Sequence, residues 1–147
     1  MTRKMEDILD CLIVGGGPAG LTAAIYLGRF HLSVEVADAG NSRASLIPLT
    51  RNHAGFPDGI AGSELLARMR DQAAKYGARI TSATVVSLSK RDDGLFVVTT
   101  KETGDRVARS ILLATGVVNI RPDIPADIHA AAVENGLLRL LPDLRRL

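Results

Sequence analysis

The chain has 147 residues, of which 46% are hydrophobic and 23% charged, as in a globular domain. The 18 basic residues nearly balance the 16 acidic ones, and aromatic residues make up only 3%, so nothing indicates a nucleic-acid surface. No stretch reaches the roughly 18 consecutive apolar residues of a membrane span, and residues 1–7 contain acids where a signal peptide is apolar. We therefore expect a cytoplasmic protein that binds neither nucleic acid nor a membrane.

Cysteine usage limits the redox and metal chemistry that the chain can carry. Cys11 is the only cysteine, so the chain can form no intrachain disulfide, dithiol pair or cysteine metal cluster. It stands in an apolar run at residues 8–14, where we expect a small buried core residue. Histidines and acids lack metal-ligand spacing, and neither a nucleophile elbow nor a serine-histidine-acid order occurs. The sequence thus predicts no metal site and no catalytic residue.

A glycine-rich turn follows the first apolar run. The letters GGGPAG place Gly15, Gly17 and Gly20 in a G-x-G-x-x-G pattern between a strand-like run and a helix-forming stretch. In a dinucleotide-binding βαβ unit, these glycines permit the tight turn, the approach of a pyrophosphate and the packing of the helix on the sheet. Pro18 and Ala19 begin the helix, whose free N–H groups and dipole attract phosphate. The turn is predicted to hold a pyrophosphate.

The second apolar run ends in an acid. Residues 33–37 precede Asp38, and an acid about 20 residues after the glycines accepts hydrogen bonds from an adenosine ribose in such domains. A simple turn residue at the end of a strand is the alternative role of Asp38. An acid there disfavours a 2′-phosphate and so favours FAD or NAD over NADP, although Arg43 nearby leaves the choice open. Ala39 is included in the predicted site.

The elements that follow are a long segment, a helix and a strand. Residues 39–62 are rich in turn residues, and loops longer than about 15 residues are often functional. Because this segment leaves the ribose end of the second strand, we expect it to lie over a bound cofactor. A helix is predicted over residues 64–76 with Ser63 as its N-cap, and residues 79–81 are predicted to form a third parallel strand.

The hydrophobic period then changes from helical to alternating. The alternating runs are residues 85–89, 95–100 and 106–110. Turn signals separate them, which is typical of an antiparallel meander. Residues 111–114 are predicted to form a separate, fully buried strand. The predicted fold class is α/β: a Rossmann-like dinucleotide-binding domain with a parallel sheet and an inserted three-stranded antiparallel β-meander.

A second glycine turn follows at Thr115 and Gly116. Because it leaves a parallel strand, it is expected at the same edge of the sheet as the first turn, where a small residue lets backbone approach a ligand. An ordinary turn at the exit of a strand is the alternative.

Three motifs together resemble the N-terminal FAD-binding half of the bacterial low-molecular-weight thioredoxin reductases, which are pyridine nucleotide-disulfide oxidoreductases. The motifs are IVGGGPAGLTAA at residues 13–24, NHAGFP at residues 52–57 and LATG at residues 113–116. By this resemblance the first motif holds the FAD pyrophosphate, the second contacts the flavin side and the third closes over the cofactor. The residues predicted to contact FAD are Gly15, Gly17, Pro18, Ala19, Gly20, Asp38, Ala39, Arg43, Asn52, Thr115 and Gly116.

The resemblance also implies a reaction. In such enzymes NADPH reduces the flavin, the flavin reduces a C-x-x-C disulfide on the NADPH domain, and that dithiol reduces thioredoxin or another small disulfide. A homodimer is compatible with the resemblance. Two alternatives stay open, namely a dinucleotide-binding module without a reaction and a related flavoprotein that uses another electron acceptor.

The last part of the sequence departs from the family pattern. We expect an FAD-binding domain over residues 1–125 and, over residues 126–147, a truncated or frameshifted tail where the C-x-x-C and NADPH domain would begin. One set of codons for residues 141–147, shifted by one base, encodes Cys-Pro-Ile-Cys-Asp-Gly, so a frameshift is our hypothesis. The chain alone is then expected to be inactive as a disulfide reductase, and the coding DNA tests the hypothesis.

Overall fold

The computed structural model of the chain describes residues 7–117 and 123–134. The chain divides into two compact units, one ending at Gly116 and one beginning at Val117. The second unit contains helix α3 (Ala126–Glu134). The boundary expected after residue 125 stays a prediction, and the hypothesis about residues 141–147 lies outside the described residues. None of the described helices is both long and apolar enough to cross a lipid bilayer.

The first unit begins with alternating strands and helices and ends with consecutive strands. Its helices are α1 (Pro18–Arg29), a 3₁₀ helix (Arg43–Leu46) and α2 (Gly62–Lys75). Its strands are β1 (Ile8–Val14), β2 (Val34–Asp38), β3 (Arg79–Ser82), β4 (Val85–Lys90), β5 (Phe96–Thr100) and β6 (Gly104–Leu113). The predicted third parallel strand corresponds to β3. The predicted meander corresponds to the three strands β4, β5 and β6.

Within the described chain, six strands form one sheet in the order β3-β2-β1-β6-β5-β4. Strand β1 pairs in parallel with both β2 and β6, and β2 pairs in parallel with β3. Strand β5 is antiparallel to both β4 and β6. Val14 pairs with Ala37 on one side and with Leu113 on the other, so the carboxyl ends of β1, β2 and β6 meet at one edge. The predicted fold class is confirmed.

The strand predicted over residues 111–114 is wrong in two respects. Residues 104–113 form the single strand β6, and Leu112 and Leu113 are 37% and 66% exposed. The pairing with β5 ends at Ala108, whereas the pairing with β1 continues to Leu113. The carboxyl half of β6 therefore pairs with β1 on one side and with no strand of the described chain on the other. The sequence pattern of an apolar run does not show whether one or both of its neighbouring strands are present.

Two helices cover the parallel strands and form the core that carries the first glycine turn. Cys11 and Ile13 of β1 pack with Ala24 of α1, Val36 of β2 and Ala73 of α2. Cys11 is buried, as predicted for a small core residue. The helices approach each other closely at Gly28, where a Cβ would lie 2.6 Å from the Tyr76 carbonyl oxygen.

The segment before α2 is more ordered than its composition suggests. It contains the 3₁₀ helix and an isolated antiparallel bridge between Thr50 and Ile60. Helix α2 begins at Gly62 with Ala61 as its N-cap, so the predicted cap at Ser63 is wrong. The reason is tertiary, because Gly62 packs so closely on the 3₁₀ helix that a Cβ would overlap the Ala44 carbonyl oxygen. This contact fixes where the helix starts without a side-chain cap.

Candidate functional site

The first glycine turn is built by backbone packing. Gly15 has a φ of +113°, and its N–H donates to the Ala37 carbonyl oxygen of β2 at 2.9 Å. A Cβ on Gly15 would overlap the Ala114 carbonyl oxygen after β6, and a Cβ on Gly20 would overlap the Gly15 carbonyl oxygen. Gly20 therefore lets the start of α1 pack against the turn, as predicted for it, and Gly15 makes the tight turn while lying against the residue that follows β6.

The two glycines between them face different neighbours. Gly16 lies directly against Asp38, because a Cβ on Gly16 would overlap the Asp38 carboxylate. Gly17 is the N-cap of α1 with a φ of −80°, and its missing Cβ would meet only the Ser42 hydroxyl, at 3.3 Å. Pro18 follows as the first helical residue and has no N–H to leave unpaired. The bare backbone at Gly17 is therefore the part of the turn that a phosphate can approach.

Asp38 ends β2 beside this turn and is buried. Its Oδ1 accepts a hydrogen bond from the Gly40 N–H at 2.9 Å, and its Oδ2 accepts one from Arg70 Nη2 at 2.6 Å. Burial by itself would raise the pKa of the Asp38 carboxyl. The hydrogen bond from Arg70, the N–H groups of Gly40 and Gly16 and the charge of Arg70 outweigh burial, so the pKa is lowered. The carboxylate is ionised and held in one orientation.

Arg70 is a site residue that the sequence analysis missed. It belongs to α2, whose side chains Leu66, Met69 and Ala73 are buried in the core, and the Arg70 side chain is 35% exposed. An apolar helix face has positions i, i+3, i+4 and i+7, and Arg70 occupies the i+4 position counted from Leu66. An arginine in the inward register of a helix was therefore the available signal for a buried acidic partner.

We expect Arg70→Met to raise the pKa of Asp38, because the carboxyl keeps its burial and loses its cation. A lowered pKa stabilises the fold above the unfolded-state pKa of the carboxyl, and that stabilisation is lost as pH falls through the folded-state pKa. The variant should therefore be less stable than the unsubstituted chain by about 1 kcal/mol at neutral pH, and the difference should shrink in acid.

A carboxyl carbon NMR titration of Asp38 and urea unfolding at several pH values measure both effects. The matched control is Arg68→Met on the same helix, because Arg68 pairs with Glu64 through largely exposed side chains. An Asp38 pKa that shifts equally in both variants would contradict the assignment of Arg70 as its partner.

The remaining predicted site residues lie at the same sheet edge or in the segment that follows β2. Ala39 is exposed directly after Asp38, and Arg43 begins the 3₁₀ helix. Thr115 and Gly116 are exposed after β6, and Gly116 has a φ of +68° with no atom within 4 Å of a Cβ. Asn52 Oδ1 accepts a hydrogen bond from Thr50 Oγ1 at 2.5 Å. The contact of Asn52 with a flavin stays a prediction.

The geometry thus brings the glycine turn, the end of β2 and the exit of β6 together at one sheet edge. Ala19, in the first turn of α1, is exposed beside the glycine turn. Across residues 7–117 and 123–134, no group of three or more histidine, cysteine or acidic side chains could hold a metal ion. What the edge offers instead is backbone N–H groups, a helix N-terminus and an ionised acid, which are the contacts that an adenine dinucleotide uses.

Comparison with known proteins identifies the family. The profile of the family described as pyridine nucleotide-disulphide oxidoreductase matches residues 9–145 of the chain. The chain belongs to this family. The match confirms the predicted resemblance to pyridine nucleotide-disulphide oxidoreductases, since the sheet edge with the glycine turn and Asp38 falls within the matched residues.

Several thioredoxin reductases are similar members of the family. A thioredoxin reductase of Treponema pallidum is 38% identical over 125 residues, which are 84% of this chain and 40% of that protein. NADPH-dependent thioredoxin reductase 3 of Arabidopsis thaliana is 38% identical over 128 residues, covering 83% of this chain and 24% of that protein. The structure of a thioredoxin reductase from Gloeobacter violaceus matches with a TM-score of 0.72 and 32% identity, covering 89% and 43%. The chain spans less than half the length of these relatives.

Proposed function

We propose that the chain is the FAD-binding part of a thioredoxin-reductase-type NAD(P)H:disulfide oxidoreductase. One observation carries the proposal, which is the direct contact between Gly16 and the Asp38 carboxylate. Because of it, the predicted pyrophosphate turn and the predicted ribose acid adjoin at the carboxyl edge of β1 and β2. The family match and the thioredoxin reductase relatives support the same reading.

The residues at this edge fit FAD. The bare backbone of Gly17 and the N-terminus of α1 would donate hydrogen bonds to the pyrophosphate. Asp38 Oδ1 accepts from the Gly40 N–H, Oδ2 accepts from Arg70, and the Gly16 N–H also faces the carboxylate. A carboxylate has about four acceptor sites, so Asp38 keeps capacity for a ribose hydroxyl. Gly40 and Gly116 have no atom within 4 Å of a Cβ position, which leaves room beside the backbone. Asn52, Thr115 and Arg43 are proposed to contact the rest of the cofactor.

When bound, FAD supplies a two-electron carrier between NADPH and a disulfide. The chain's own residues bind and orient the cofactor, and Cys11 is its only thiol and is buried in β1. We therefore propose that the 147 residues alone do not reduce a disulfide. A thioredoxin-like or other small disulfide is the proposed substrate of the complete system, and the homodimer and the cytoplasmic location stay predictions.

Calorimetric titration of the purified chain with FAD and with FMN tests the proposal. FMN carries the same flavin and one phosphate but lacks the adenylate half, so it cannot reach Asp38 and can fill only part of the pyrophosphate turn. We expect one FAD per chain and an affinity at least about tenfold higher than for FMN, since the adenosine half contributes several charge-assisted hydrogen bonds. Equal affinities, or no FAD binding by a folded chain, would overturn the proposed function.

A second candidate is a dinucleotide-binding module without a reaction of its own. The chain has a single cysteine, which is buried and cannot form a disulfide within the chain, and this favours the module. NADPH added to the FAD-loaded chain without oxygen tests the module. Bleaching of the flavin absorbance would exclude it, whereas an unchanged spectrum is expected of both candidates, because the chain's own residues are proposed only to bind and orient the cofactor.

A further inference from the structure

We propose that Arg70 sets the ribose specificity of the adenosine site. In this chain the Asp38 carboxylate pairs with Arg70 and keeps a negative charge beside the ribose position, so the site accepts an adenosine with a free 2′-hydroxyl. Removing the carboxylate would turn Arg70 into a ligand for a 2′-phosphate. This inference rests on the proposed function, because it assumes that Asp38 faces an adenosine ribose.

Arg70 and Asp38 form an ion pair in which the carboxylate is the more buried partner. Arg70 Nη2 lies 2.6 Å from Asp38 Oδ2, and the Asp38 side chain is 9% exposed while that of Arg70 is 35% exposed. The carboxylate therefore lies on the inner side and the guanidinium at the rim. Only one hydrogen bond from Arg70 to Asp38 is seen, and a guanidinium has five N–H donors, so further donors remain on the rim side.

The backbone of Arg70 is held in place by the packing of α2. Its neighbour Met69 is buried, and so are Leu66 and Ala73 on the same helix. Gly62 fixes the start of that helix against the Ala44 carbonyl oxygen. Since α2 is anchored at both its start and its apolar face, the Arg70 Cα stays in place when Asp38 is changed, and the guanidinium remains within reach of the end of β2.

The two possible riboses differ in charge at the 2′ position. A phosphate monoester carries a charge of about −1.5 to −2 near neutral pH, so an ionised Asp38 repels it. Arginine binds phosphate through paired hydrogen bonds, and an arginine near the ribose accommodates the 2′-phosphate in NADP sites. The Asp38–Arg70 pair thus keeps a phosphate-binding group present but engaged.

This arrangement would serve a flavin site in an enzyme whose electron donor is NADPH. The two dinucleotides share the adenosine and the pyrophosphate, and only NADPH carries the 2′-phosphate. A site that recognises the pyrophosphate alone would bind both. The paired carboxylate would therefore keep the electron donor out of the flavin site.

Calorimetric titrations with ADP-ribose and 2′-phospho-ADP-ribose test the inference, because these probes differ only in the 2′-phosphate. The chain as it stands should bind ADP-ribose at least about tenfold more tightly. Asp38→Asn, which keeps the size of the side chain, should bind 2′-phospho-ADP-ribose at least about tenfold more tightly than the unsubstituted chain does. Asp38→Asn/Arg70→Met should lose that gain, and the matched Asp38→Asn/Arg68→Met should keep it.

A gain that survives Arg70→Met, or no gain in Asp38→Asn, would overturn the inference. Circular dichroism confirms that each variant is folded, and Asp38→Ser replaces Asp38→Asn if the latter is not. FAD titration of the unsubstituted chain distinguishes a failure of this inference from a failure of the proposed function. If FAD binds and the preference for the 2′-phosphate does not follow Arg70, only the inference fails. If FAD does not bind, the proposed function and the inference fail together.

Discussion

Gly17→Ala is expected to weaken FAD binding by about 100-fold and to leave the chain folded. A methyl group at this position would occupy the space through which a pyrophosphate reaches the backbone, and the loss of two hydrogen bonds to a charged group accounts for that factor. The fold should tolerate it, because Gly17 has an ordinary φ of −80° and only the Ser42 hydroxyl must move. Replacing glycine by alanine at an N-cap should cost at most about 1 kcal/mol of stability.

Gly77→Ala is the matched control for Gly17→Ala. Gly77 follows the C-cap of α2 with a φ of +86° and has no atom within 4 Å of a Cβ. Alanine there should lower stability by about 1 kcal/mol because of the positive φ and should leave FAD affinity unchanged. Calorimetry and urea unfolding of both variants give the comparison. Unchanged FAD affinity in Gly17→Ala would show that the turn does not hold the pyrophosphate.

Gly15→Ala, in contrast to Gly17→Ala, is expected to destabilise the fold itself. The φ of +113° is strained for any residue with a Cβ, and the new methyl group would overlap the Ala114 carbonyl oxygen. The backbone at Gly15 and the backbone at Ala114 are packed against each other at the ends of β1 and β6. Neither can move without disturbing the sheet. We expect a cost of at least about 3 kcal/mol, a large part of the stability of an ordinary domain.

Gly94→Ala separates the overlap from the backbone strain in that experiment. Gly94 has a φ of +86° and open space around its Cβ position, so alanine there brings strain without overlap. It should cost about 1 kcal/mol. Thermal and urea unfolding of the two variants measure the difference. Equal losses of stability would mean that Gly15 is not packed against the residues after β6 as described.

The turn and the strands around it were predictable because their signals are local. The glycine spacing after an apolar run, the acid at the end of the next strand and the alternating runs after residue 84 each state their structure within a few residues. The structure places Gly16 against Asp38 and Gly15 against Ala37, so the glycine turn adjoins the end of β2. Local patterns fix element type well, because side-chain period and turn chemistry act over short distances.

The parts that were missed depend on contacts between distant residues. The G-x-G-x-x-G pattern allows any residue type at position 16. In the structure Gly16 has no room for a Cβ, because Asp38 lies against it. Arg70 pairs with an acid in a different strand, and the start of α2 is set by the Ala44 carbonyl oxygen. The exposure of Leu113 follows from where the pairing with β5 stops. None of these contacts changes the local pattern around the residue concerned.

The central claim is that the edge formed by β1, β2 and β6 binds an adenine dinucleotide. Backbone amide chemical shifts of the isotope-labelled chain during an FAD titration test it most directly, because they report the site of binding residue by residue. The largest changes should occur at Gly16, Gly17 and Gly40, with no change at Gly94 in the turn between β4 and β5. Changes that leave the glycine turn unaffected, or that centre on the β4–β5 turn, would contradict the account.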